Sequence, residues 1–126
     1  MAIIFNPNKK IFTLQTAHTT YQMQVDRLGY LLHLYYGAKS TCDSLDTLPQ
    51  EYPTLGTGDF RNIALDIKNE QGTESVELLY KSHEIRDGKY ALKGLPAVWA
   101  SDDEAQTLEI VLGDDIAGVE VHLLYG

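Results

Sequence analysis

Residues 54–63, T-L-G-T-G-D-F-R-N-I, combine residue types that could do chemistry: Gly56, Gly58, Asp59 and Arg61. Closely spaced glycines can let backbone N–H groups approach a phosphate. A phosphate loop, however, requires a preceding strand and a following helix whose N-terminus faces the anion, and the triphosphate type adds Lys with Ser or Thr. Here Pro53 precedes, an extended segment follows, and Asp59 would put negative charge where the anion should lie. Nucleotide binding is therefore disfavoured.

The alternative is that the two glycines turn the chain and the charged residues hold it. Side chains two positions apart on an extended segment share a face, so Asp59 and Arg61 can meet each other or a partner surface. Candidates for bracing the loop or forming an interface are Tyr52, Gly56, Gly58, Asp59 and Arg61.

No other pattern predicts a catalytic, metal or cofactor site. The carboxylates of Asp46, Glu51, Asp59 and Asp66 have no spacing that singles out a pair for acid–base work. The sequence S-D-D-E-A-Q at 101–106 lacks the alternating ligands, central Gly and closing Glu of a calcium loop. The histidines occur without metal-ligand spacing, at His18, His33, His83 and His122.

The charge balance excludes two classes of partner. The chain of 126 residues carries 18 acidic and 10 basic residues, a formal net charge of −8. Nucleic acids and anionic membranes are bound through Lys and Arg, so neither is expected as a partner. The size predicts one domain over 1–126. The sole cysteine, Cys42, and the short apolar run before Asn6 favour a reducing, cytoplasmic location.

Alternation of apolar and polar residues is the dominant pattern, and it predicts strands. It is clearest in Y-Q-M-Q-V-D, T-L-E-I-V-L and G-V-E-V-H-L-L-Y, whose apolar residues would face a core. Further strands are predicted at Ile3–Asn6, Ile11–Thr16, Leu31–Tyr36, Leu65–Lys68, Ser75–Glu84 and Ala97–Ala100. Turn sequences predicted between strands are 26–29, 69–72, 86–88 and 113–115. The expected fold is an all-β antiparallel sandwich of about nine or more strands with little or no helix, and a long irregular loop at about 37–62.

Several separated blocks resemble, in order, the N-terminal domain of family 36 α-galactosidases. They are N-P-N-K-K-I-F-T-L, G-Y-L-L-H-L-Y-Y-G, L-P-Q-E-Y-P-T-L-G-T-G-D-F-R-N, G-T-E-S-V-E-L-L-Y-K-S-H-E-I, G-K-Y-A-L-K-G-L-P-A-V-W and T-L-E-I-V-L. The resemblance implies a β-supersandwich that precedes a catalytic (β/α)8 barrel. The parent enzyme would be a retaining glycosidase that removes terminal α-galactose from melibiose or raffinose.

The resemblance also implies that this chain is non-catalytic, because the family's nucleophile and acid/base are aspartates of the barrel. The domain would pack on the barrel and support a homo-oligomer, expected to be a tetramer. Family members carry a longer segment after Y-Y-G, with an acidic residue and an arginine that reach a sugar pocket. Here only 38–43 intervene, and Thr41 or Cys42 stands about where the arginine would be, so those sugar contacts are not transferred.

A second hypothesis is a free-standing carbohydrate-binding sandwich, with galacto-oligosaccharide as its ligand. Exposed aromatic rings would then stack on sugars, and the candidates are Tyr35, Tyr36, Tyr52, Tyr90 and Trp99. Aromatic residues at alternating strand positions are more often part of a core.

Overall fold

The computed structural model describes residues 2–41, 49–96 and 105–126, and this part of the chain contains seven strands and no helix. The predictions for Asp46, Cys42, Trp99, the strand at 97–100 and most of the segment 101–106 lie outside it. The strands are β1 Ala2–Asn6, β2 Ile11–Gln15, β3 Thr19–Val25, β4 Leu31–Ala38, β5 Leu79–Asp87, β6 Gln106–Asp114 and β7 Val119–Tyr125.

The strands form two antiparallel sheets. One has the order β1-β2-β3-β4, in which each strand pairs with the next along the chain, and the other has the order β5-β6-β7. Pairings such as Phe12 with Met23, and Ile110 with Leu123, place apolar residues side by side on one face. The predicted all-β, antiparallel sandwich class is confirmed.

Both sheets contribute to one core. Phe12 and Met23 of the first sheet and Leu108 and Ile110 of the second are fully buried in the same cluster. Burial of side chains of this size contributes about 1.5–3 kcal/mol each. The backbone N–H of Ile3 also donates to the Gln106 side chain, at 3.0 Å, across the two sheets.

Several details of the strand prediction are wrong. Leu65–Lys68 is not a strand, because only Leu65 forms a β-bridge, to Thr54. The second sheet starts at Leu79 rather than Ser75, although Val76 and Leu78 are buried. These short apolar runs bury side chains without joining a ladder, which periodicity alone cannot distinguish from a strand. The expected count of about nine strands is not confirmed.

The connections also differ in detail from the prediction. Gly113 continues β6, and the turn that leads to β7 lies at 115–118, where Asp114 Oδ1 accepts from Ile116 N at 2.8 Å. Residues 86–88 do not form a tight hairpin, since β5 and β6 are joined by residues 88–105. The irregular region starts after Ala38, where β4 ends. Its described residues up to 78 belong to no strand, so it extends beyond the predicted end at about residue 62.

Candidate functional site

The loop that carries the candidate residues begins by pairing with the edge of the first sheet. The backbone of His33 in β4 donates to the Pro49 carbonyl, and Glu51 donates to the Leu31 carbonyl, both at 2.9 Å. Residues 49–51 thereby cover part of the β4 edge, whose unpaired backbone groups would otherwise be open to another chain.

Asp59 and Arg61 then hold this paired segment from the other side. Arg61 binds the Asp59 carboxylate through Nε at 3.0 Å and through Nη2 at 2.6 Å. The same Nη2 donates to the Gln50 carbonyl, and Gln50 N–H donates to Asp59 Oδ2 at 3.1 Å. The acid and the base therefore bind both backbone polar groups of one loop residue, Gln50.

The electrostatics of this pair follow from its contacts. The Arg61 hydrogen bonds, together with the backbone N–H groups of Arg61 and Gln50, lower the pKa of Asp59 far below its usual range. The Asp59 carboxylate in turn raises the pKa of Arg61. The Asp59 side chain is 10% exposed, whereas that of Arg61 is 52% exposed, so the guanidinium keeps one face towards solvent.

The two glycines of the motif are in different environments. Both have positive φ, +96° at Gly56 and +84° at Gly58. A Cβ at Gly56 would lie 2.2 Å from Ser75 Oγ, whereas a Cβ at Gly58 would meet nothing within 4 Å. Gly56 is thus required for close packing as well as for its backbone conformation, while Gly58 serves only the turn.

Tyr52 and the neighbouring Thr54 bind the loop to its surroundings. The Tyr52 hydroxyl donates to the Ala64 carbonyl at 3.3 Å, and its ring packs against the core. Thr54 is fully buried, and its hydroxyl donates to the Val76 carbonyl at 2.6 Å. These contacts fix the loop at both ends of the Gly-x-Gly turn.

Phe60 was not singled out from the sequence, yet it is the most conspicuous apolar side chain of the loop. It is 99% exposed, and it lies between the two members of the ion pair. Its exposure goes with the hydrogen bonds that turn Asp59 and Arg61 towards Gln50, because the residue between them makes no such contact and stays outside. A large apolar side chain held outward on a braced loop is suited to contact another surface.

A second polar cluster joins the loop to both sheets. The Glu51 carboxylate accepts hydrogen bonds from the hydroxyl of Tyr21 in β3 and from that of Tyr125 in β7, the latter at 2.8 Å. His33 Nδ1 lies 3.5 Å from the other carboxylate oxygen. Burial, reinforced by the Glu51 charge, raises the pKa of both tyrosines well above the usual value.

No pattern in the sequence indicates this cluster. Tyr21 and Tyr125 lie 30 and 74 residues from Glu51, so only the packing of the two sheets brings them together. Glu51 was considered only as one of several unpaired carboxylates.

The aromatic residues that are candidates for stacking on sugars fall into two groups, those exposed at the surface and those with structural contacts. Tyr36 is 68% exposed, and Tyr90 lines a surface groove with it. Tyr35 instead lies over Gly37 and donates to the Ala38 carbonyl at 2.9 Å, which makes it a local structural residue. Tyr52 is half-buried, as described above.

The remaining polar groups have structural partners. His83 contacts the stacked rings of Phe5 and Phe12, at centroid distances of 4.3 and 4.9 Å, and burial lowers its pKa. Glu109 is bound by His122 at 2.8 Å and by Arg86. In residues 2–41, 49–96 and 105–126, no group of three or more His, Cys, Asp or Glu side chains could hold a metal ion, and no helix could span a bilayer.

Comparison with known proteins shows the family of this domain. Residues 29–126 match the model of the glycosyl hydrolase family 36 N-terminal domain. The chain belongs to this family. It is 65% identical to the bifunctional alpha-galactosidase/sucrose kinase AgaSK of Mediterraneibacter gnavus, over all of this chain and 16% of that protein. It is 40% identical to the alpha-galactosidase AgaA of Geobacillus stearothermophilus, over 99% of this chain and 21% of that protein.

Solved structures of family 36 proteins have the same fold. The galactosidase domain of AgaSK superposes with a TM-score of 0.90 at 65% identity, covering 99% of this chain and 21% of that chain. The α-galactosidase AgaB of Geobacillus stearothermophilus gives a TM-score of 0.91 at 40% identity, with 99% and 20% covered. The chain therefore spans about a fifth of the length of these structures.

The family 36 alignment also shows a length difference. The match to AgaSK extends over 151 positions against the 126 residues of this chain, a difference of 25. AgaSK thus has residues within the matched region that this chain lacks. The short segment at 38–43, noted from the sequence, is the place where we expect them.

Proposed function

We propose that this chain is the non-catalytic N-terminal domain of an α-galactosidase, in which it packs on the catalytic barrel and supports assembly of a homo-oligomer, expected to be a tetramer. The observation that carries the proposal is the family 36 match over residues 29–126, combined with coverage of only 16–21% of the relatives AgaSK and AgaA. The parent enzyme would hydrolyse terminal α-galactosides such as melibiose and raffinose.

The contacts of the acidic residues support a non-catalytic role. Retaining hydrolysis requires two carboxyl groups about 5–5.5 Å apart, with one free to attack the sugar and the other able to give up a proton. Glu51, Asp59 and Glu109 are each already bound by two or more side chains or backbone groups. A carboxylate whose oxygens are occupied in this way is a poor nucleophile.

We place the contact with the barrel at the braced loop. The Asp59–Arg61 pair fixes the backbone on either side of Phe60, so the exposed ring needs little further ordering to bind. Leu55 of the same loop is 44% exposed and adds apolar area. Interface energy is commonly concentrated in a few such aromatic residues.

A chimera tests the proposal. In AgaSK, the stretch that matches this chain would be replaced by residues 1–126, and a second chimera would keep the extra residues of AgaSK within the match. We expect at least the second chimera to hydrolyse a nitrophenyl α-galactoside and to have the oligomeric state of AgaSK. The 126-residue chain alone should be inactive. Hydrolysis by the chain alone would contradict the assignment of catalysis to the barrel.

The matched variants for the interface are Phe60→Ala and Ile116→Ala. Both side chains are fully or almost fully exposed, at 99% and 100%, so neither substitution should unfold the domain. We expect only Phe60→Ala to weaken assembly of the chimera, measured by sedimentation and by heat inactivation of the activity. Equal effects of the two substitutions would rule out this loop as the contact.

A cytoplasmic location is proposed with the same assignment. The support is the single cysteine, which leaves no internal disulfide to require an oxidising compartment. Fractionation of the source cells with an antibody against this domain would decide, since recovery in the culture medium would contradict it.

A further inference from the structure

An open groove lined by tyrosines lies where the two sheets meet, away from the Phe60 loop in sequence. Its volume is about 490 Å³, and its aromatic lining comes from Tyr21 and Tyr36 of the first sheet, Tyr125 of the second, and Tyr90 of the connection between β5 and β6. The rings of Tyr21 and Tyr36 are 5.9 Å apart, and those of Tyr21 and Tyr125 are 6.2 Å apart. Three of the four rings, those of Tyr36, Tyr21 and Tyr125, are therefore in contact along the groove.

Two of the four tyrosines, Tyr21 and Tyr125, are held in place before any ligand arrives. The hydroxyls of Tyr21 and Tyr125 are fixed by the Glu51 carboxylate. The backbone N–H of Tyr90 donates to Thr107 Oγ1 at 2.9 Å, and Thr107 donates in turn to the Gly88 carbonyl at 2.7 Å. Fixed rings such as those of Tyr21 and Tyr125 lose little conformational entropy on binding.

A polar depression adjoins the aromatic one. It has a volume of about 450 Å³, shares Tyr90 and Leu124 with the tyrosine groove, and is lined further by Arg86, Lys89 and Glu109. Arg86 and Lys89 supply hydrogen-bond donors, and the carboxylate of Asp87, which also lines the depression, supplies an acceptor, so a ligand beside the aromatic surface can both accept and donate.

This combination fits a neutral oligosaccharide. A pyranose has an apolar face of C–H groups that packs on an aromatic ring, and a rim of hydroxyls that both donate and accept hydrogen bonds. An apolar lining with a few placed polar groups is also the usual composition of small-molecule sites. A purely apolar partner would leave the charged groups unpaired, which is costly on desolvation. An anionic ligand would meet a protein of net charge −8.

We propose that the tyrosine groove and its polar neighbour form a non-catalytic binding site for a neutral oligosaccharide of two or three hexose units. Tyr36 and Tyr90 carry the stacking, and Arg86 hydrogen-bonds sugar hydroxyls. This inference is independent of the proposed role in an α-galactosidase, because the groove includes none of the residues of the Phe60 loop.

The test is a titration of the 126-residue chain with melibiose and raffinose, followed by amide NMR shifts and calorimetry. We expect a dissociation constant near about 1 mM, equivalent to about −4 kcal/mol. Tyr36→Ala should weaken binding about threefold to tenfold, the scale of one ring contact. Ile116→Ala is the control, a fully exposed apolar residue outside the groove, and should bind as the unaltered chain does.

The outcomes separate this site from the interface proposal. Weaker sugar binding by Tyr36→Ala with unchanged chimera assembly supports the site, whatever Phe60→Ala does to assembly. Absence of sugar-induced shifts at the highest soluble concentration overturns the proposal. So does concentration-dependent self-association that Tyr36→Ala abolishes, because the groove would then be a contact between copies of the chain.

Discussion

At the scale of single residues, the polar groups of this domain secure a loop rather than perform chemistry. Asp59 accepts a hydrogen bond from the Gln50 N–H and Arg61 donates one to the Gln50 carbonyl. Glu51 accepts hydrogen bonds from a tyrosine of each sheet. Buried or half-buried carboxylates are stable only when their oxygens are satisfied in this way. Because the pKa values of Asp59 and of these two tyrosines are shifted in the folded state, the stability of the domain depends on pH in both the acidic and the alkaline range.

Removal of the Asp59 carboxylate should destabilise the domain at neutral pH. Asp59→Ala leaves Gln50 N–H and Arg61 without their acceptor, at a cost of about 2 kcal/mol in the free energy of unfolding. Because the folded-state pKa of Asp59 lies below the unfolded value of about 3.9, its contribution is present above that pH and is lost as the pH falls below it. Urea unfolding at pH 7 and at pH 3 measures the difference.

The matched control for this prediction is Asp115→Ala. The Asp115 side chain is 87% exposed, although it pairs with Lys81 at 2.6 Å. Exposed ion pairs of this kind contribute little, so the free energy of unfolding should change by less than about 0.5 kcal/mol. If Asp59→Ala behaves like the control, Asp59 does not brace the loop.

The Glu51 cluster should show the opposite pH dependence. The pKa values of Tyr21 and Tyr125 are raised in the folded state, so their contribution is full below the unfolded value of about 10 and is lost as the pH rises through the folded values. Tyr125→Phe should lower the free energy of unfolding by about 2 kcal/mol at pH 7. An ultraviolet titration should show at least two tyrosines that ionise only as the domain unfolds, besides Tyr30, whose pKa the Glu77 hydrogen bond raises to about 12, and Tyr80, whose pKa burial raises. Normal ionisation of all eight tyrosines near pH 10 would contradict the cluster.

At the scale of elements, the sequence predicts strands from their local alternation, but it does not predict which segments pair with one another. Alternation located β3 and β6, because apolar residues such as Met23 and Ile110 face the core at every second position. It failed at Leu65–Lys68, where the chain is extended and packed but joins no ladder beyond one bridge. Gln22 also departs from the pattern, since it lies on the predicted polar face yet is 3% exposed and donates to Thr13.

The candidate site also has one part that the sequence predicts and one part that depends on tertiary packing. Spacing in the sequence was sufficient to pair Asp59 with Arg61, since the residues are two apart. The enclosure of Gln50, the tyrosines around Glu51 and the outward direction of Phe60 depend on how the loop lies against β4 and β7. No local pattern encodes that placement.

The two glycines of the loop provide a test at this scale. Gly56→Ala should cost about 2–3 kcal/mol in the free energy of unfolding, from its positive φ and from the shift that the new Cβ forces on the Ser75 side chain. Gly58→Ala has the positive φ without the overlap and should cost only about 1–2 kcal/mol. Denaturant unfolding of the two variants measures the difference. Equal costs would mean that the loop does not approach Ser75 as closely as described.

At the scale of the whole molecule, the two sheets form one unit through a shared core and through Glu51. Phe12 and Met23 of one sheet belong to the same buried cluster as Leu108 and Ile110 of the other. A domain with a single core of this kind is expected to unfold in one cooperative step. The surface that this unit leaves open is then available for the Phe60 contact and for the tyrosine groove.

A substitution in β6 should therefore destabilise both sheets together. Ile110→Ala removes a fully buried side chain at the junction and should lower the free energy of unfolding by about 2–5 kcal/mol. Ile116→Ala makes the same chemical change at a side chain that is 100% exposed, and should have almost no effect. Far-ultraviolet circular dichroism follows both sheets, and tyrosine fluorescence follows the packing around Glu51. The two signals should shift together in Ile110→Ala, because a separate early transition in either one would mean that each sheet has its own core.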